Sequence, residues 1–119
     1  MAEETVVPSA DDRQLVRKLQ SGDAQAWLHV SRMLVRFVQD AGIRGRAAWF
    51  GDAEDFAAVV RLRLLRGGLA RFRFDCRFSS YLRLLVQRVI LDASHSPNGL
   101  REELDERRLD RPAVDAHHL

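Results

Sequence analysis

Glycines divide most of this 119-residue chain into segments whose apolar residues recur every three or four positions. That spacing lines up apolar side chains on one face of an α-helix, whereas a half-buried strand would alternate apolar and polar residues. The chain has no such alternation and no internal repeat. Gly22, Gly42, Gly51 and the pair Gly67–Gly68 end the segments, because glycine is a poor interior helix residue. We therefore predict an all-α fold, a single small bundle of about four helices near 11–20, 24–41, 53–66 and 78–93, with loops at 42–51 and 67–77.

Aspartates precede two of these segments, where they can accept hydrogen bonds from free backbone N–H groups. Asp23 stands before the second segment and Asp52 before the third. Asp55 follows Asp52 by three residues, which resembles a capping box with aspartate in place of the usual glutamate or glutamine. Both positions predict helix starts.

The chain is long enough for one domain and apolar enough, at 46%, to bury a core. We expect a flexible N-terminus over 1–10, a helical domain over 11–93 and a charged linker or tail over 94–119. Pro97 and Gly99 break the last helical segment. Glu103 and Arg107 could support one or two helical turns beyond them, and we expect disorder at the end of the tail.

The single cysteine, Cys76, excludes an intramolecular disulfide and fits a reducing compartment. We interpret it as a small half-buried residue rather than a reactive thiol. The acidic N-terminus does not resemble a signal peptide, and no apolar run approaches the roughly 20 residues of a membrane span. These features predict a soluble, cytoplasmic protein.

Enzyme and metal chemistry find no support in the sequence. His29, His95, His117 and His118 have no partners at ligand spacing, and Gly67–Gly68 lacks the lysine of a phosphate-binding loop. The acids at the start of the third helix are explained by capping. We therefore predict no catalytic residues, no metal and no cofactor.

Positive charge is concentrated in one part of the chain. Residues 61–88 contain eight arginines and one acid, a net +7, so the remainder carries about −5 of the total +2. A basic block inside a folded domain suits a polyanionic partner, although a solvated helix face is the alternative.

Within this basic block, residues 71–77 alternate arginines with Phe72 and Phe74. Such a texture suits single-stranded nucleic acid, whose bases stack on rings while arginines follow the phosphates. The alternative, which composition leaves equally open, is that Phe72, Phe74, Phe78 and Tyr81 are core residues.

An ordered set of short motifs resembles region 2 of bacterial sigma factors, most closely the extracytoplasmic-function group. The set covers about residues 12–93. It comprises Gly22-Asp23-Ala24-Gln25-Ala26-Trp27, Asp52-Ala53-Glu54-Asp55-Phe56, Arg63-Leu64-Leu65-Arg66, Phe72, Phe78-Ser79-Ser80-Tyr81-Leu82 and Leu91-Asp92.

The resemblance implies a transcription initiation factor domain that binds core RNA polymerase and recognises and melts the minus-ten promoter element. It implies docking on the clamp helices of the largest polymerase subunit through Asp52, Asp55, Ala58, Val59 and Leu62. It also implies contact with the single-stranded non-template DNA strand through Arg71, Phe72, Arg73, Phe74, Arg77, Tyr81, Arg83, Gln87 and Arg88. An anti-sigma factor is a further candidate partner.

Several positions depart from the family pattern. Ala58 and Val59 replace the usual glutamine and glutamate, Tyr81 replaces tryptophan, and Gln87-Arg88 replaces Arg-Asn. No helix-turn-helix for the upstream promoter element follows in this chain. These departures keep open a sigma-like interaction module that binds polymerase or a regulatory partner without initiating transcription. A generic nucleic-acid-binding helical protein is the third alternative.

Overall fold

All regular elements in the described part of the chain are helical. The computed structural model describes residues 10–109, with side-chain environments for 11–105. In chain order the elements are α1 (Ala10–Gln20), α2 (Ala24–Ala41), a 3-10 helix (Gly45–Trp49), α3 (Ala53–Arg63), a π-turn (Leu64–Gly68), the single turn α4 (Leu69–Arg71), α5 (Phe78–His95) and α6 (Pro97–Leu109). The predicted all-α class is confirmed for these residues, and the predicted N-terminus over 1–10 lies almost wholly outside them.

Both predicted aspartate caps form. The Asp23 carboxylate accepts a hydrogen bond from the Gln25 N–H at 3.1 Å at the start of α2. At the start of α3 the Asp55 N–H donates to the Asp52 carboxylate at 3.1 Å, and the Asp52 N–H donates to the Asp55 carboxylate at 3.0 Å. The capping box is therefore complete, and aspartate is long enough to close it.

Helix α5 runs through the middle of the bundle and packs against α2, α3, α6 and the 3-10 helix. Its apolar face places Phe78, Leu82, Val86, Val89 and Ala93 in the core. They meet a continuous cluster from the other elements, in which the largest fully buried side chains are Phe56, Leu19, Leu34, Leu64, Val30, Val38, Val59 and Val60.

The end of α3 differs from the predicted helix over 53–66. The regular helix ends at Arg63, and the chain continues through the π-turn. Gly67 has a φ of 133°, a conformation that disfavours residues with a Cβ atom. At Gly68 an added Cβ would lie 2.9 Å from the Arg63 carbonyl oxygen, so a second constraint requires glycine there. The predicted 67–77 loop accordingly begins with this turn and α4 before the extended residues.

The predicted linker over 94–119 is wrong for its first part. Helix α5 continues to His95, and α6 forms over Pro97–Leu109, whereas residues 110–119 lie outside the described part. Leu100 of α6 is buried at 3% exposure in the core. The α6 helix thus belongs to the domain, at least through Asp105.

Arg63 fastens α6 to the rest of the bundle. Its guanidinium donates to both carboxylate oxygens of Glu103, at 3.0 and 3.1 Å, and to the Asp92 carboxylate at 2.9 Å. Burial would lower the pKa of Arg63, but the hydrogen bonds and charges of Glu103 and Asp92 outweigh it and raise that pKa. A single side chain therefore joins α3, α5 and α6.

We expect Arg63→Ala to lower the free energy of unfolding by about 1–3 kcal/mol, because it leaves two partly buried carboxylates without their donor. Chemical denaturation followed by circular dichroism measures the change. Arg36→Ala, at an exposed position of α2, is the matched control and should change stability by less than about 0.5 kcal/mol. Equal stability of the two variants would contradict the role of Arg63.

Candidate docking groove and nucleic-acid interface

A groove of about 680 Å³ runs between α2 and α3, and Leu104 of α6 also lines it. Three of the five predicted polymerase contacts, Asp55, Ala58 and Leu62, line it, since their spacing places them on one face of α3. Leu62 lies at the groove floor and is only 3% exposed, so Asp55 and Ala58 offer most of the surface that a partner can reach. We call this surface the docking groove. Its remaining lining residues are Ala24, Trp27, Leu28, Ser31, Arg61, Leu65 and Leu104.

Two exposed leucines add apolar surface to the docking groove, which also contains the polar side chains of Ser31, Asp55 and Arg61. Leu28 is 48% exposed and Leu65 is 51% exposed. Trp27 is half-buried, and its indole N–H donates to the Leu19 carbonyl at 3.0 Å, which fixes the ring at the groove wall. Ala58, Leu62 and Leu65 are spaced i, i+4, i+7, which is the sequence signal that they share one face.

The remaining two predicted polymerase contacts lie elsewhere. Val59 is fully buried in the core, so a partner cannot reach it. Its substitution by glutamate would bury a charge inside the bundle rather than improve docking. Asp52 is exposed at the helix start and outside the groove lining. The Asp55 carboxylate lines the groove and also accepts the capping hydrogen bond from the Asp52 N–H.

The ring of Phe72 lies in the core rather than on the surface. It is 5% exposed, and its centroid lies 5.2 Å from that of Phe78, 4.8 Å from Tyr81 and 4.6 Å from Phe74. The prediction that Phe72 offers a free ring for base stacking is therefore corrected, and the alternative of a core residue holds. The ring cluster attaches the 72–77 segment to α5.

Tyr81 is half-buried at the edge of this cluster. Its hydroxyl donates to the Gly68 carbonyl at 2.8 Å, which ties α5 to the end of the π-turn. Burial raises the pKa of the Tyr81 hydroxyl, nearby Arg71 lowers it in part, and Cys76 adds to the increase. The hydroxyl therefore stays protonated and keeps donating at neutral pH.

Phe74 gives the 72–77 segment its sharp bend. Its φ is 60°, a left-handed conformation that costs an ordinary residue about 1–2 kcal/mol. The half-buried ring packs on Phe72, and the guanidinium of Arg13 lies 4.5 Å above its centroid. These contacts offset the cost and leave the neighbouring Arg73 pointing away from the core, where it is exposed.

The predicted polar DNA contacts are mostly exposed, as such contacts must be. Arg71, Arg73, Arg83, Gln87 and Arg88 are exposed, whereas Arg77 is half-buried. The guanidinium of Arg83 lies 4.1 Å above the Phe37 ring, which holds its side chain against α2. Arg71 and Arg88 line one recess beside Tyr81, whereas Arg83 and Gln87 lie with Phe37 and Asp40 in another. We call the exposed arginines Arg71, Arg73 and Arg88 the basic surface.

One further residue, Asp12 on α1, orders this surface without being predictable from the sequence. Its carboxylate accepts a hydrogen bond from the Phe78 N–H at 3.1 Å and so caps the start of α5. A cap supplied from 66 residues away has no local sequence signal.

Burial, with Asp75 and Asp12 nearby, raises the pKa of the half-buried Cys76 thiol. A protonated thiol is a poor nucleophile.

A recess of about 410 Å³ opens on the same basic surface. Its lining combines arginines with exposed and half-buried apolar residues: Arg63, Arg66, Gly68, Arg71, Tyr81, Leu84, Leu85 and Arg88. We call it the basic recess. Among the described residues no group of three or more histidine, cysteine or acidic side chains could hold a metal ion.

Comparisons with models of protein families, with curated proteins and with solved structures found no match. No helix within residues 10–109 has both the length and the apolar character needed to cross a membrane. Function must therefore be inferred from the two surfaces and from the residues that form them.

We expect Phe72→Ala to lower the free energy of unfolding by about 3–5 kcal/mol, because it removes a ring from the core cluster. Trp49→Ala is the matched control, since that ring is 72% exposed on the 3-10 helix and its loss should change stability little. Thermal and chemical denaturation measure both. A Phe72→Ala protein as stable as the parent would contradict the assignment of Phe72 to the core.

Proposed function

We propose that this chain is a sigma-factor region 2-like domain that binds core RNA polymerase and recognises and melts the minus-ten promoter element. The observation that carries the proposal is the presence of two separate surfaces on one small bundle. One is the docking groove between α2 and α3, where exposed leucines lie beside polar side chains, and the other is the basic surface of Arg71, Arg73 and Arg88. Their residues coincide largely with those that the family resemblance assigns to the two partners.

The docking groove supports the polymerase half of the proposal. Its leucines suit the packing of a partner helix, and its polar side chains Ser31, Asp55 and Arg61 can pair with polar groups of that helix. Helices commonly bind in grooves through residues at i, i+3 and i+7. Leu28 and Leu65 are roughly half exposed and gain most from being covered. Asp55 at the groove would give the partner a charged anchor that fixes its orientation.

The basic surface supports the nucleic-acid half. Arg71, Arg73 and Arg88 are exposed and can follow phosphates, and the half-buried Tyr81 retains an accessible ring edge. Base stacking has fewer rings available than the sequence suggests, because Phe72 is buried. Phosphate contacts should therefore contribute more of the affinity than stacking does.

We expect Ala58→Arg to abolish copurification of core polymerase, because the new side chain would fill the docking groove. Asp55→Asn should weaken copurification without melting α3, since the amide oxygen can still accept the hydrogen bond from the Asp52 N–H while the charge is removed. Pull-down of purified core enzyme by the tagged chain measures both effects. Gln14→Arg, at an exposed position of α1, is the control for adding an arginine and should leave binding unchanged. Undiminished polymerase binding by Ala58→Arg would show that the docking groove is not part of the polymerase interface.

We expect the parent protein to prefer single-stranded DNA of minus-ten type over the same sequence as a duplex. Arg71→Ala and Arg73→Ala should each reduce that affinity and flatten its salt dependence, by about 0.7 in the log–log slope for every phosphate that is no longer neutralised. Fluorescence anisotropy titrations at several salt concentrations measure both quantities. Arg32→Ala, exposed on α2, should change neither. Equal affinity for single and double strands would end the promoter-melting proposal.

A second candidate function is a sigma-like module that binds polymerase or a regulator without initiating transcription. The burial of Phe72 favours it, because a ring held in the core cannot receive a flipped base. Promoter-dependent transcription with purified core polymerase separates the two candidates. Specific transcripts support the first, whereas polymerase binding without transcripts supports the second.

A further inference from the structure

Helix α5 exposes an apolar stripe that phosphate binding does not explain. Leu84 is 59% exposed and Leu91 is 54% exposed, and Arg88 lies between them. The spacing of four and three residues places all three side chains on one face of the helix. The two leucines are about 10 Å apart along the axis, close to two helical turns. We call these three residues the α5 stripe.

The α5 stripe is continuous with the basic recess. Leu84 and Arg88 belong to both, and Leu85 and the edge of Tyr81 add apolar lining to the recess. Exposed Arg71 adds positive charge beside them. The surface thus combines a recess large enough for an apolar side chain with a row of leucines and nearby guanidinium groups.

From this combination we infer that the α5 stripe and the basic recess bind an acidic amphipathic helix of a partner protein. The apolar positions of such a helix recur at i, i+3 or i+4 and i+7, which matches the distance between Leu84 and Leu91. Its glutamates or aspartates would pair with Arg71 and Arg88, and guanidinium–carboxylate pairs can form two parallel hydrogen bonds.

The charge of the surface decides between this occupant and a second copy of the chain. Two copies related by a two-fold axis would place the same patch against itself, so the Arg88 side chains of the two copies would approach each other. Two nearby acids, Asp92 and Glu103, would not relieve that repulsion, because Arg63 already holds both. An acidic partner removes the conflict and covers the leucines as well.

The leucines also decide against nucleic acid as the occupant that shaped this patch. Interfaces for nucleic acid are more polar and more positively charged than those for proteins. Leu84 and Leu91 would gain nothing from phosphates, whereas a helix with one apolar and one acidic face satisfies leucine and arginine together. An acidic helix bound here would cover Arg71, Tyr81 and Arg88, and would therefore compete with single-stranded DNA if the proposed function holds.

The probe is a fluorescent synthetic helix of about 18 residues, with leucines on one face and glutamates on the other. We expect micromolar binding that weakens with salt. Leu84→Asn combined with Leu91→Asn should weaken it roughly tenfold or more, because truncated anchors dominate losses at such interfaces. Arg71→Gln combined with Arg88→Gln should weaken it and also flatten its salt dependence. Thermal melts should be unchanged in both double variants, since all four positions are exposed.

Two controls locate the bound peptide. A peptide of identical composition in scrambled order should bind at least tenfold more weakly, because it presents no continuous apolar face. Leu28→Asn combined with Leu65→Asn removes two similarly exposed leucines from the docking groove and should leave binding unchanged. Loss of binding in this control pair would place the peptide in the docking groove and overturn the inference.

Other outcomes would overturn the inference as well. These are no binding at millimolar peptide, equal binding of the scrambled peptide, or full binding by the Leu84/Leu91 variant. Loss of single-stranded DNA binding in that variant, in parallel with peptide binding, would assign the stripe to the nucleic-acid interface instead. Failure of polymerase or DNA binding in the parent protein would defeat the proposed function alone, because peptide binding is measured without either partner.

Discussion

The contact of Phe72 with Phe78 and Tyr81 organises most of what this bundle can present to a partner. It attaches the 72–77 segment to α5, and the Tyr81 hydroxyl then ties α5 to the Gly68 carbonyl at the end of the π-turn. Between the rings of Phe72 and Phe74, Arg73 is exposed, whereas Arg77 at the end of the segment is half-buried. The same short stretch of chain therefore contributes rings to the core and positive charge to the surface. Loss of the ring packing would also change the positions of the charged side chains.

Local interactions explain which parts of the fold could be predicted from sequence. The starts of α2 and α3 depend on Asp23, Asp52 and Asp55, whose bonding partners are within three residues, so both starts could be predicted. Helix α6 could not, because its stabilisation is not local. Only Leu100 and Leu104 give it apolar spacing, and its main polar anchor, Arg63, lies 40 residues earlier in the chain.

The residues of the candidate site also differ in whether the sequence alone could place them at the surface or in the core. Arginines such as Arg71 and Arg88 could be assigned to the surface from charge alone, because an unpaired guanidinium is rarely buried. Phe72 and Val59 could not be assigned, since an apolar residue beside a predicted interface fits the core equally well. Tertiary packing decides the matter: the rings of Phe74, Phe78 and Tyr81 surround Phe72, and the core cluster encloses Val59.

The two tryptophans occupy such different surroundings that the chain carries its own optical reporter. The indole of Trp27 is half-buried at the wall of the docking groove and hydrogen-bonded to Leu19, whereas Trp49 is 72% exposed on the 3-10 helix. Emission from Trp49 should be that of an indole in water, and emission from Trp27 should lie at shorter wavelength. Replacing Trp49 by phenylalanine would leave one indole, Trp27. Its emission wavelength would then report whether the docking groove is filled, without any attached dye.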